Sequence, residues 1–153
     1  MCKPPQSSVD FNVYAANAVG GDAEFLKTRH KTKWIEPKRV DKVPCWPTSA
    51  YLADYFRRSQ QRQHIDFFSL DVEGAELRVL ETIDFNKVTI DVFLVEVDAK
   101  SGDVDKQSAA RAIRAFLVDR HHYHECMGPV AAKTDYSAVF VSFASNFATH
   151  PDC

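Results

Sequence analysis

The stretch Ile65-Asp66-Phe67-Phe68-Ser69-Leu70-Asp71-Val72-Glu73-Gly74-Ala75-Glu76-Leu77-Arg78-Val79-Leu80 contains the clearest fold signal in this sequence. Its first six residues form a short, mostly apolar run that is typical of a strand, and Gly74 then breaks the chain. After the glycine, Leu77, Leu80 and Ile83 recur at three-residue steps. That spacing predicts a helix over residues 75–83 with one buried stripe.

A second strand is predicted after this helix. Residues 88–97 are rich in β-branched side chains and apolar on both alternating faces near their end, which indicates a strand covered on both sides. About twenty residues separate the two strands, which is enough for a right-handed crossover connection. We therefore expect the two strands to be parallel neighbours in one sheet.

The rest of the C-terminal half continues this α/β pattern. A helix is predicted over Lys106 to Arg120, and strands over Tyr123 to Cys126 and Tyr136 to Phe143. The two strands are close enough in sequence, across Gly128-Pro129, to pair antiparallel. The fold class predicted is α/β: a partial Rossmann-like sheet, mostly parallel, that ends in an antiparallel C-terminal hairpin.

The N-terminal half is patterned more weakly. Val9 to Val19 alternates well enough for one strand, and Ala23 to Leu26 is a candidate for a second. Residues 27–42 contain seven Lys or Arg residues and a proline, a composition that predicts an irregular exposed segment. A short helix is expected over Ser49 to Arg58.

Length and composition bound the possible classes of protein. The 153 residues, 45% of them hydrophobic, suit a single folded domain that we place over residues 1–153. A net charge of -2 argues against a protein that binds nucleic acid mainly through an overall positive charge. The apolar runs are strand-sized, far shorter than a bilayer requires, so no membrane span is predicted.

The cysteines and the N-terminus predict a reducing compartment. Cys2, Cys45, Cys126 and Cys153 form no Cys-x-x-Cys pair and no metal-finger spacing, so we interpret them as reduced thiols. The first residues have no apolar signal region. A cytoplasmic location is therefore expected, and no metal site is predicted.

Acidic residues follow both predicted parallel strands. Asp71 and Glu73 come after the first strand, and Glu96 and Asp98 end the second. Open parallel sheets bind ligands beyond the carboxyl ends of their strands, so these carboxylates are expected to converge on one pocket. The alternative is that Asp71 and Glu73 only cap the following helix, where negative charge is favourable.

These residues carry a resemblance to a known family. The stretch from Ile65 to Leu80, with its Asp-Val-Glu-Gly-x-Glu-Leu core, resembles the central signature of the FkbM-type S-adenosylmethionine-dependent methyltransferases. Val43-Pro44-Cys45-Trp46-Pro47 resembles the segment that leads into this signature, and Tyr136 to Phe143 resembles the last strand of the family. The resemblance covers roughly residues 40–143.

The resemblance implies an activity and a set of site residues. It implies an O-methyltransferase that moves a methyl group from S-adenosylmethionine to a hydroxyl of a sugar, glycan or other small metabolite. Asp71, Glu73 and Glu96 would orient or deprotonate the acceptor hydroxyl. The cofactor would lie against residues at two places in the chain, namely Asn17, Ala18, Asp71 and Gly74.

The resemblance also implies a cofactor loop that this sequence lacks. The family resembles other methyltransferases in a first strand with a Gly-rich cofactor loop, but the five glycines of this sequence form no Gly-x-Gly pattern. The chain looks like the C-terminal two-thirds of such a domain, with the edge of Ile65 to Leu70 left open. A second copy or a partner chain that covers this edge, a truncated product and a rearranged fold all remain open. So does a second function, a non-catalytic remnant or interaction module.

Overall fold

The computed structural model describes residues 2, 7–13, 20–22, 38–60, 62–97, 104–127, 136–151 and 153. Within these residues the chain forms two β-sheets, and helices pack against the larger one. The α/β class predicted from the sequence is therefore confirmed.

The smaller sheet is built from the N-terminal half. Its strands are β1 (Ser8–Val13), β2 (Gly20–Asp22) and β3 (Arg39–Pro44), in the order β2-β1-β3, and both pairings are antiparallel. The prediction of an irregular segment over residues 27–42 is wrong for residues 39–42, which belong to β3. The side chains of β3 are mostly exposed, so this strand depends on six register pairs with β1 and carries no apolar alternation that would reveal it.

The larger sheet comes from the C-terminal half. Its strands β4 (His64–Leu70), β5 (Thr89–Glu96), β6 (Tyr123–Glu125) and β7 (Ser137–Ser142) follow the order β4-β5-β7-β6. Strands β4 and β5 are parallel, whereas β7 is antiparallel to both β5 and β6.

The sheet is thus mixed, and the prediction of a mostly parallel sheet is wrong. The physical reason is that the chain reverses direction after β6. Strand β7 then lies between β5 and β6 and runs antiparallel to both. The C-terminal antiparallel hairpin itself is confirmed by the pairing of β6 with β7. Among the described strands, the parallel relation is limited to β4 and β5.

The helices lie close to their predicted positions. They are α1 (Thr48–Ser59), α2 (Glu76–Leu80) and α3 (Val104–Arg114), which continues as a π-helical segment over Ala115–Arg120; a 3-10 turn covers Asn146–Thr149. Helix α2 ends earlier than predicted because the chain at Thr82 binds the start of α1. The Thr48 N–H donates to the Thr82 hydroxyl (2.9 Å), and the Ser49 hydroxyl donates to the Thr82 carbonyl (2.8 Å).

The hydrophobic core lies between the larger sheet and these helices. Phe93 and Phe140 from the sheet and Leu80 and Leu117 from the helical segments are fully buried. Each buried side chain of this size contributes about 1.5–3 kcal/mol relative to an exposed one. None of the described helices is long and apolar enough to cross a bilayer.

All four cysteines are paired in disulfides. Cys2 is bonded to Cys45 and Cys126 to Cys153, with Cα separations of 5.6 and 4.4 Å. The interpretation of these residues as reduced thiols is wrong. The paired cysteines are 43 and 27 residues apart in the chain, and only the fold brings them together, so short spacing motifs could not reveal them.

We expect the purified chain to contain no titratable thiol until it is reduced. Denatured without reductant it should give no reaction with a thiol reagent, and after reduction all four cysteines should react. The double variant Cys126→Ser with Cys153→Ser should lose roughly 3–4 kcal/mol of unfolding free energy, because a 27-residue crosslink no longer restrains the unfolded chain. Free thiols before reduction would contradict the pairing.

Strand β4 lies at the end of the larger sheet as described, and it pairs there with β5. Phe67 on this strand is 57% exposed, whereas its neighbour Phe68 packs on Phe93 at 5.5 Å between ring centroids. A strand edge with an exposed aromatic side chain favours pairing with another chain. We propose that a second copy of this chain covers the β4 edge.

Replacing Phe67 with lysine should therefore weaken self-association in sedimentation experiments over a range of protein concentrations. Val104→Lys is the matched control, because Val104 is also exposed but lies at the start of α3. A wild-type chain that stays monomeric at every concentration would contradict the proposal.

Candidate active site

The ends of β4 and β5 bring two predicted acids together. Leu70 pairs with Val95, so the residues that follow this pair, Asp71 and Glu96, lie side by side at the carboxyl edge of the sheet. Asp71 is exposed and Glu96 is half-buried. Carboxylate oxygens of Asp71, Glu96 and a third acid, Glu76, all lie within 4.8 Å of one another.

The turn after β4 has an unusual backbone. Glu73 has a φ of 55° and Gly74 a φ of 104°, so two consecutive residues occupy the left-handed region. Glycine adopts this conformation without a steric cost, whereas a glutamate at φ 55° is uncommon. Glu73 sits in this turn, half-buried, and is not a member of the three-carboxylate group.

Glu76 is an acid of this site that was not predicted from the sequence. Its residue is only 2% exposed, and its Oε1 accepts hydrogen bonds from the N–H groups of Val72 (3.1 Å) and Gly74 (2.9 Å). The signal available in the sequence was the second glutamate of the Asp-x-Glu-Gly-x-Glu motif, two residues after the glycine. The buried carboxylate thus satisfies two backbone amides of the loop.

This finding changes the interpretation of the acids as helix caps. The N-cap position of α2 is Ala75, which makes no side-chain cap hydrogen bond. Glu76, which lies inside the helix, binds two amides of the turn. Asp71, by contrast, is exposed at the strand end and accessible from solvent.

The chemistry open to the three carboxylates is limited. They can accept hydrogen bonds from hydroxyl or ammonium groups, take a proton from a hydroxyl, or surround a cation. An all-oxygen set of this kind also suits a hard divalent ion. Of the other residues predicted for this site, Asn17, Ala18 and Asp98 lie outside the described residues.

Comparison with known proteins identifies the family. A family model described as the methyltransferase FkbM domain matches residues 4–126. The chain belongs to the FkbM methyltransferase family. The match spans β4, β5 and the acids Asp71, Glu76 and Glu96, which confirms the resemblance seen from Ile65 to Leu80. No curated protein matches the chain, and no solved structure does.

The role of Glu76 in this FkbM domain can be separated from its charge. Glu76→Ala should lower the unfolding free energy by about 2 kcal/mol, because two loop N–H groups lose a charged acceptor. Glu76→Gln keeps an acceptor oxygen in the same place and should lose much less. Urea denaturation measures both, and hydrogen exchange at Val72 and Gly74 should be faster in the alanine variant. Equal stability of the two variants would contradict this role.

Proposed function

We propose that this chain is an S-adenosylmethionine-dependent O-methyltransferase that acts on a hydroxyl of a sugar or other small metabolite. The observation that carries the proposal is the group formed by Asp71, Glu76 and Glu96 within 4.8 Å, at the carboxyl edge of the parallel pair of an FkbM domain. This edge is where open α/β sheets bind their ligands.

The chemistry of the site suits this cofactor. The ammonium group and the ribose hydroxyls of S-adenosylmethionine donate hydrogen bonds that carboxylates can accept, and its sulfonium is a cation that carboxylates attract. Gly74, at φ 104°, has no Cβ to hinder a ligand that approaches the turn. When bound, the cofactor supplies an electrophilic methyl group. Asp71 and Gly74 are the described residues we assign to its binding.

The remaining acids are assigned by their accessibility. Glu96 ends β5 half-buried beside Asp71, so it is the group we assign to orienting the acceptor hydroxyl and accepting its proton. Glu73, in the turn, is a second candidate for contact with the acceptor. Glu76 is committed to the amides of Val72 and Gly74, so its role is to hold the turn. Positioning of the two reactants supplies most of the rate increase in this mechanism.

A second candidate function rests on one observation. The sequence contains no Gly-x-Gly pattern, which the resemblance leads us to expect at the cofactor loop. The alternative is a non-catalytic module that keeps the sheet and lacks cofactor binding. Both functions predict a folded chain, so only ligand binding separates them.

The proposal also concerns the cellular compartment in which this chain acts. The cytoplasmic location predicted from the sequence depended in part on reduced thiols, whereas Cys2–Cys45 and Cys126–Cys153 are disulfides. Disulfides form and persist in oxidising compartments and are rare in the cytosol. We therefore favour an oxidising compartment over the cytosol for this chain.

Calorimetric titration of the folded chain with S-adenosylmethionine tests the proposed function. We expect saturable binding, weakened about tenfold or more by Asp71→Asn, because a charge-assisted hydrogen bond is lost. Glu96→Gln should retain cofactor binding but lower methyl transfer to a panel of hydroxylated acceptors by about a hundredfold.

Glu81→Gln is the matched control, because it removes the same charge from an exposed position next to α2. It should change neither binding nor transfer. A folded wild-type chain that binds no cofactor would exclude the enzyme and leave the non-catalytic module. Methyl transfer that stays at the wild-type rate in Glu96→Gln would remove Glu96 from the catalytic role.

A further inference from the structure

A second group of ligand-type side chains lies at the opposite end of β4 and β5. His64 and Asp66 lie on one face of β4, and Thr89 and Asp91 lie on the same face of β5. His64 pairs with Thr89. Asp66 and Asp91 lie opposite each other, because the pairs on either side of them are Ile65 with Ile90 and Phe67 with Val92. One ligand atom from each of His64, Asp66 and Asp91 lies within 4.8 Å of the other two.

The hydrogen bonds of His64 orient its ring towards the two carboxylates. Its Nδ1 lies 2.8 Å from the Thr89 hydroxyl oxygen, and that hydroxyl donates its own proton to the Gln63 carbonyl at 3.4 Å. With its proton on Nδ1, the His64 ring donates to the Thr89 oxygen. In that tautomer the lone pair lies on Nε2, the nitrogen that faces Asp66 and Asp91. Metal-binding histidines are commonly held in this way, with the second nitrogen donating to a neighbouring oxygen.

The distances from His64 to the two aspartates suit metal ligands. Nε2 of His64 lies 3.4 Å from an Asp66 oxygen and 3.5 Å from an Asp91 oxygen. Zinc bonds of about 2.0–2.1 Å at the tetrahedral angle separate two donor atoms by about 3.3 Å. A direct hydrogen bond from an imidazolium to a carboxylate is shorter, at about 2.7–2.9 Å. The histidine nitrogen and each aspartate oxygen are thus spaced to share one small cation, and the two aspartate oxygens lie within 4.8 Å of each other.

Electrostatics also favours a positive charge at this position. Two carboxylates that face each other on adjacent strands repel and destabilise the pairing. The Asp91 side chain is only 20% exposed, so water screens it less than Asp66, which is 87% exposed. A cation between them would remove the repulsion, and the open side at Asp66 would leave room for water as a further ligand.

We propose that His64, Asp66 and Asp91 bind a divalent transition-metal ion of the Zn²⁺ type, which links the edge strand β4 to β5. One imidazole with two carboxylates is a mixed donor set that suits zinc and its neighbours in the first transition series better than Mg²⁺ or Ca²⁺. The group lies about 20 Å along β4 from Asp71, at roughly 3.3 Å per residue. Its role is structural, and it does not depend on the proposed methyl transfer.

Metal titration of the full chain, with its disulfides intact and no affinity tag, tests this site. The protein is first freed of metal by chelation. ZnCl2 is then titrated by calorimetry, and CoCl2 by visible absorption, which reports a nitrogen and oxygen ligand set. We expect one Zn²⁺ per chain and a melting temperature that rises with Zn²⁺. His64→Gln and Asp66→Asn should each lower the affinity by about tenfold or more. Asp66→Asn keeps the test valid if a more buried variant fails to fold.

Two further variants test the support of the His64 ring and a histidine outside the group. Thr89→Val removes the oxygen that binds Nδ1 while keeping the side-chain shape, and it should weaken Zn²⁺ by about tenfold. His150→Gln removes an exposed histidine elsewhere and should change nothing. Three results would overturn the proposal: no saturable binding, equal affinity in His64→Gln and wild type, or a loss in Glu96→Gln alone. The first would leave His64 as an ion-pair partner of the two aspartates.

Discussion

The parallel pairing of β4 with β5 joins His64 to Thr89 at one end and Leu70 to Val95 at the other. The side chains of both candidate sites take their positions from this register. Because side chains alternate along a strand, a slip of one residue would move His64 and Asp66 to the opposite face of the sheet. The same slip would carry Asp71 away from Glu96. Both candidate sites therefore depend on a single alignment of two short strands.

The register is fixed by packing on both faces of β5. Ile90 is buried on one face, and Phe93 and Val95 are fully buried on the other. The hydroxyl of Tyr123 also donates a hydrogen bond to the carbonyl of Ile90 at 2.7 Å. Burial, and then the negative charge of Asp91, raise the pKa of Tyr123 well above its ordinary value, so the phenol keeps the proton that it donates. An apolar strand held in this way cannot shift without exposing its core side chains to water.

The parts of the fold that the sequence predicted are those with local signals. The apolar runs of β4 and β5 and the three-residue steps from Leu77 are visible in short windows, and the strand-end rule placed Asp71 near Glu96. The rest depends on contacts between distant residues. The bond between Cys2 and Cys45 forms only once the fold brings the two cysteines together. In the same way, Asp66 and Asp91 become neighbours only when their strands pair. The six pairs between β1 and β3 are equally long-range, so composition alone made β3 look irregular.

The two ends of the strand pair pose the same electrostatic problem. At the amino end Asp66 faces Asp91, and at the carboxyl end Asp71 lies beside Glu96. Carboxylates this close repel unless a positive charge or hydrogen-bond donors compensate them. At the carboxyl end the N–H groups of Val72 and Gly74 compensate the buried Glu76, while Asp71 remains exposed for a cationic ligand. At the amino end His64, whose ring contacts the Thr89 hydroxyl, lies 3.4 Å from Asp66 and 3.5 Å from Asp91 and can compensate them. Under the two proposals, each pair of acids binds a cation: the cofactor at the carboxyl end of the strands and a metal ion at the amino end.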